Sequence, residues 1–87
     1  MMTAAQLKPE LKALIIDECD KDMAADDIDD GEQLIAGRLE LDSLDALQIC
    51  MAVKTRYGVR IEGGPDARDA LQSVDTLCNR ILEAVAE

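Results

Sequence analysis

The sequence predicts an all-α protein: a small four-helix bundle of three longer helices and one short helix, with a long first loop. Three observations lead there. Tyr57 is the single aromatic residue among 87, so the core is built from Leu, Ile, Val, Ala and Met, which suits packed helices better than a sheet. Apolar residues recur at helical spacing in separate stretches of the chain. Between the first two stretches runs an acidic segment without that period. A chain of this length forms one domain, residues 1–87. It buries only about 60% of the surface its unfolded form exposes, so nearly every apolar side chain is needed.

The first stretch runs from about Thr3 to Cys19, with Leu7, Leu11, Leu14 and Ile15 at helical spacing. Thr3 with Gln6 resembles a capping box, but Pro9 follows closely. Two starts are therefore open: one near Lys8 with Pro9 in the first turn, the other earlier with a kink at Pro9. The later start is preferred.

An acidic connector follows, from Asp20 to about Arg38, with Ile28, Leu34, Ile35 and Leu39 placed to pin it to the core. Its carboxylates do not make a calcium loop. Counted from Asp20, Asp22 fits the third position, but Ala24 and Ala25 occupy the fifth and sixth. A solvated loop is expected.

The second helix starts at Asp42 or Ser43 and ends at Gly58, a residue suited to the left-handed position after a helix. Leu47, Cys50, Met51 and Val53 mark a broad apolar face that Tyr57 extends, and Lys54 and Arg56 sit where cations suit the helix dipole. After Val59-Arg60-Ile61, Gly63-Gly64-Pro65 enforces a turn. Asp66 is placed to cap a short helix through Leu71. Ser73 then opens the last helix, whose Val74, Leu77, Cys78, Ile81, Leu82 and Val85 follow the helical period closely.

Composition excludes several functions. A formal net charge of −10 repels phosphate backbones, which argues against nucleic acid and for partners with basic docking patches, while also serving solubility. Cys19, Cys50 and Cys78 form no CxxC pair, and the chain has no histidine to complete a zinc site. Reduced, partly buried thiols in a cytoplasmic protein are expected, with no metal, no signal peptide and no stable membrane insertion. An enzyme is not expected either. There is no nucleophile elbow and no phosphate-binding glycine loop, and nothing marks a pocket that would shift a carboxylate such as Asp26 or Asp27.

One serine stands out. If Asp42 caps the second helix, its carboxylate accepts first-turn amides and Asp45 reaches back to the cap amide. Ser43 is then the first helical residue, with a hydroxyl not needed for capping and with no base to activate it. A phosphodiester formed there would lie at the positive end of the helix dipole. The alternative is that Ser43 is itself the cap, or a polar surface residue.

Asp42-Ser43-Leu44-Asp45, Met51, Tyr57-Gly58, Ile61, Ser73-Val74 and Leu77 together resemble the acyl carrier protein family, in element order over nearly the whole chain and most specifically from Leu39 to Ile61. The resemblance implies a four-helix bundle with a long first loop. It implies that Ser43 carries 4′-phosphopantetheine, attached from coenzyme A by a separate phosphopantetheinyl transferase, and that the arm's thiol holds acyl groups as thioesters. It further implies partner recognition by Leu44, Leu47 and Met51, with acidic contacts from Glu40, Asp42 and Asp45, and an inward-facing Cys50. Ordinary core packing is the competing reading for Leu44, Leu47 and Met51. The implied partners are ketosynthase, ketoreductase, dehydratase and acyl-loading enzymes, and the free protein is expected to be a monomer.

The departures refine this. Where fatty-acid-synthesis carriers continue the second helix with glutamates, this chain has Gln48, Lys54, Thr55 and Arg56, which favours dedicated partners. Leu41-Asp42-Ser43-Leu44-Asp45-Ala46-Leu47, Ala52-Val53-Lys54, Tyr57-Gly58-Val59 and Ser73-Val74-Asp75-Thr76-Leu77 look like the type II carriers of aryl polyene biosynthesis, a polyketide-like pathway. A peptidyl or D-alanyl carrier, and an unmodified acidic helical interaction module, are the alternatives.

Overall fold

The computed structural model describes residues 3–35, 37 and 41–85. Among them are four α-helices, α1 (Ala4–Glu18), α2 (Ser43–Tyr57), α3 (Pro65–Ala70) and α4 (Val74–Val85), and one 3-10 turn, Ala25–Asp27. The all-α bundle and its long first loop are as the sequence predicts. No helix of the described residues is long and apolar enough to cross a membrane.

The later start expected for α1 is wrong. The helix begins at Ala4, with Thr3 as its cap and Pro9 inside it. The Gln6 side chain accepts from the Thr3 amide at 3.2 Å, and the Gln6 amide donates to both the Thr3 hydroxyl at 3.3 Å and the Thr3 carbonyl at 3.1 Å, so both amides are satisfied at the start of the helix. Leu7, which a start at Lys8 would leave outside the helix, is fully buried with Leu11, Leu14 and Ile15. Pro9 removes the amide that would bond to the Ala5 carbonyl, but Ala5 and Pro9 are both exposed, so that carbonyl lies on the wet side of the helix. At the other end, Asp20 takes a left-handed φ of 53°, and the Lys21 amide donates back to the Ile16 carbonyl at 3.1 Å.

The connector is pinned by apolar anchors and by ions. Ile28, Leu34 and Leu41 are buried and Ile35 is half-buried, whereas Leu39 lies outside the described residues. The Leu34 amide donates to the Gln72 carbonyl (3.0 Å), and the Asp75 amide donates to the Asp30 carbonyl (2.9 Å). Lys12 meets Asp30 at 2.6 Å and Lys8 meets Asp75 at 2.7 Å, so two cations of α1 clamp the loop and α4 together. The Lys12 contact holds the Asp30 carboxyl below the usual carboxylate range, and the Asp75 contact raises Lys8.

All of these elements share one hydrophobic cluster: α4 packs on α1 and α3, and α2 packs on α1 and α3. The buried face of α2 is Ala46, Ile49, Cys50 and Val53. This corrects the expected apolar face, because Leu47 and Met51 point to solvent while the unmarked Ile49 is fully buried. Gly58 ends α2 at φ 71°, a conformation that L side chains rarely adopt. The Tyr57 hydroxyl donates to Glu10 at 3.1 Å, tying that end to α1. Ser73 caps α4, its hydroxyl accepting from the Thr76 amide at 3.2 Å.

Asp66 is not the cap of α3. Gly64, at φ 73°, occupies that position and Pro65 is the first helical residue, where its missing amide costs nothing. Asp66 instead accepts from the Glu62 amide at 3.0 Å and pairs with Arg80 of α4. The short helix is held across the bundle rather than by its own end.

Candidate functional site

The site is built on the start of α2. Asp42 is extended, and its carboxylate accepts from the Asp45 amide at 3.0 Å; the Asp45 carboxylate accepts from the Asp42 amide at 3.2 Å. This reciprocal cap removes the reading in which Ser43 is the cap. Ser43 is the first helical residue and exposed, and among the described residues nothing hydrogen-bonds its hydroxyl. With Asp42 and Asp45 both engaged by backbone amides and no histidine in the chain, the hydroxyl is presented without a general base.

Two surfaces flank Ser43. On the outer face of α2, Leu44, Leu47 and Met51 are 63%, 53% and 61% exposed, which excludes core packing for all three in the free protein. Their spacing aligns them in one stripe along the helix, beginning one residue after Ser43. Asp42 and Asp45 lie at its acidic end, and Lys54, which shares a surface with Leu47 and Met51, at its basic end. Glu40 lies outside the described residues.

On the other flank a cleft of about 350 Å³ opens between α2, α3 and the turn before α3. Ser43, Leu47 and Arg68 line it together with the buried Ala46, Cys50, Ile61 and Ala67. Its wall is mainly aliphatic, and α3 contributes only small or long flexible side chains, so the space between the helices is not closed. A wider cleft of about 700 Å³ lies between the connector and the α3–α4 junction, lined by Gln33, Gln72 and Ser73 among others. It does not include Ser43, and its serine is already spent as the cap of α4.

The thiols near the site are quiet. Burial, with the Asp45 and Asp42 carboxylates nearby, pushes Cys19 up to about 11, and burial raises Cys50 and Cys78 as well. All three are free. Among the described residues no group of three or more histidine, cysteine or carboxylate side chains is placed to hold a metal ion.

The structure therefore brings together Asp42, Ser43, Leu44, Asp45, Leu47 and Met51 on one stretch of helix. Sequence reasoning missed Ala67 and Arg68, the α3 side of the cleft. The only hint of them was the small-residue spacing of Ala67 and Ala70 in a segment too short to show a helical period. Neither protein-family models nor curated proteins yield a match to this chain.

Proposed function

We propose that this chain is an acyl carrier protein, modified on Ser43 with 4′-phosphopantetheine by a separate phosphopantetheinyl transferase. The observation that carries the reading is the reciprocal Asp42–Asp45 cap, which leaves an exposed, unactivated and unbonded Ser43 hydroxyl between an exposed apolar stripe and an open cleft. Such a serine is a substrate for another enzyme rather than a nucleophile of its own. The arm, once attached, supplies a mobile thiol that holds acyl groups as thioesters.

The protein's residues supply position and recognition. The cap and the dipole of α2 fix Ser43 and favour the added anion. Leu44, Leu47 and Met51 give partners an apolar strip to dock on, which desolvates the surface next to the modified serine. Asp42 and Asp45 meet basic groups of the transferase and of ketosynthase, ketoreductase, dehydratase and acyl-loading enzymes. Lys54 reverses the charge along the same strip, so a uniformly basic partner surface is disfavoured at that end. That polarity supports a dedicated type II system, with aryl polyene biosynthesis as the specific pathway. The cleft, with its aliphatic wall, shelters part of a bound chain.

The test is intact-protein mass measurement after incubation with coenzyme A and a broad-specificity phosphopantetheinyl transferase. Wild type gains one phosphopantetheinyl increment and Ser43→Ala gains none. An unmodified acidic interaction module is the second reading, favoured by the same exposed stripe, which needs no arm to bind a partner helix. A folded wild-type protein that gains no mass supports that module instead. If the increment appears, loading through an adenylating enzyme separates a peptidyl or D-alanyl carrier from an acyl carrier.

A further inference from the structure

Arg68 is the cation on the wall of the cleft that Ser43 also lines. It stands on the exposed side of α3, directly after the buried Ala67. Neighbouring cations of the bundle are committed: Arg80 is held by both oxygens of Asp66, and Lys8 and Lys12 are held by Asp75 and Asp30. Among the described residues, no ion pair or side-chain hydrogen bond engages the Arg68 guanidinium. Lys21, Lys54 and Arg56 also show no carboxylate partner among the described residues, but of these unpaired cations only Arg68 lines the cleft with Ser43. Asp42 and Asp45, the carboxylates next to Ser43, are turned to the α2 amides instead.

We infer that Arg68 is the anchoring residue for the phosphodiester that modification places on Ser43, an inference that rests on the carrier reading. A phosphodiester carries one full negative charge at neutral pH and two terminal oxygens, the acceptor geometry that a guanidinium fork fits. Attached to Ser43, it sits among Asp42 and Asp45, whose charges repel it. Arg68, across the same cleft, is the group that offsets them. The contact ties the root of the arm to the α3 side of the cleft, so the arm leaves Ser43 over the aliphatic wall made by Ala46, Cys50 and Ile61 rather than away from it. Arg68 thereby sets the balance between an arm held against the protein and an arm presented to a partner.

A thermal double-mutant cycle tests this. Wild type and Arg68→Gln are each prepared unmodified and modified, with complete modification verified by mass, and melted at low and high salt. If wild type takes no increment, the carrier reading falls and the role of Arg68 falls with it. With the increment in place, Arg68→Gln is expected to lower the Tm of the modified protein by about 2–5 °C more than that of the unmodified protein at low salt. High salt should shrink that difference, because the pair is solvent-accessible. An equal cost of the substitution in both forms, or a difference indifferent to salt, overturns the role of Arg68 and leaves the carrier reading intact.

Discussion

One terminal nitrogen of Arg80 lies 2.6 Å from both carboxylate oxygens of Asp66, so α4 holds in place the short helix that forms one wall of the cleft beside Ser43. The same carboxylate receives the Glu62 amide and closes the glycine turn before α3. A helix of six residues is too short to be stable by itself, and this clamp supplies part of what its length cannot.

Asp66→Asn tests the clamp through its pH dependence. Arg80, first, and the Glu62 amide hold the Asp66 carboxyl below its ordinary value of 3.8. A depressed carboxyl contributes stability that is fully present above the ordinary value and is lost as pH falls through the lower folded value. Urea midpoints are therefore expected to be lower for Asp66→Asn than for wild type at neutral pH and to converge as pH falls through the lowered folded value. A gap that persists undiminished in acid would show that the asparagine disturbs packing rather than charge.

Pro9→Ala should stabilise the protein. The substitution returns an amide to the Ala5 carbonyl and relieves the ring's clash with the preceding turn, against a smaller loss from a freer unfolded chain. A gain of about 1–2 kcal/mol in urea unfolding is expected. No gain would mean that α1 already absorbs the proline by bending.

The outer stripe of α2 separates binding from folding. Leu44→Ala, Leu47→Ala and Met51→Ala are expected to change stability by no more than about 0.5 kcal/mol each, because these side chains are exposed. Ile49→Ala, in the core, should cost about 2–5 kcal/mol. In assays with a partner enzyme, at least one stripe variant should reduce transfer about tenfold while remaining fully modified. Unchanged transfer for all three variants would remove the stripe from recognition.

On the carrier reading, thiol labelling should distinguish unmodified from modified protein. Raised Cys19, Cys50 and Cys78 hold little thiolate near neutral pH, and the thiolate is the reactive species. A limiting amount of alkylating reagent at mildly alkaline pH should leave the unmodified protein largely unlabelled and place one fast label on the modified protein, on the arm. A fast label on Cys19 in the unmodified form would contradict the raised thiol.

Much of this architecture is written in local pattern. The period of Val74, Leu77, Cys78 and Ile81 announces α4, and Asp42 with Asp45 announces the start of α2, because periodicity and capping act within a few residues. What pattern alone does not decide is which neighbour a side chain meets. Leu47 and Ile49 are both aliphatic on one helix, yet only Ile49 is buried, because helix phase against α1 and α3 depends on tertiary packing. Asp66 reads as a cap from its place after a glycine turn, but its decisive partner stands 14 residues away. Pro9 reads as a boundary from propensity, and the burial of Leu7 overrides it. The candidate site was legible on the α2 side and illegible on the α3 side for the same reason: one side is local and the other is assembled.

Tyr57 gives the protein a built-in optical gauge. With no tryptophan or second tyrosine, near-ultraviolet emission of the isolated protein comes from one phenol, and that phenol bonds to Glu10. A phenol donating to a carboxylate emits more weakly than a free one, so brightness tracks whether the end of α2 remains fastened to α1. Peeling the bundle open becomes visible as a change of light from a single side chain, without a dye.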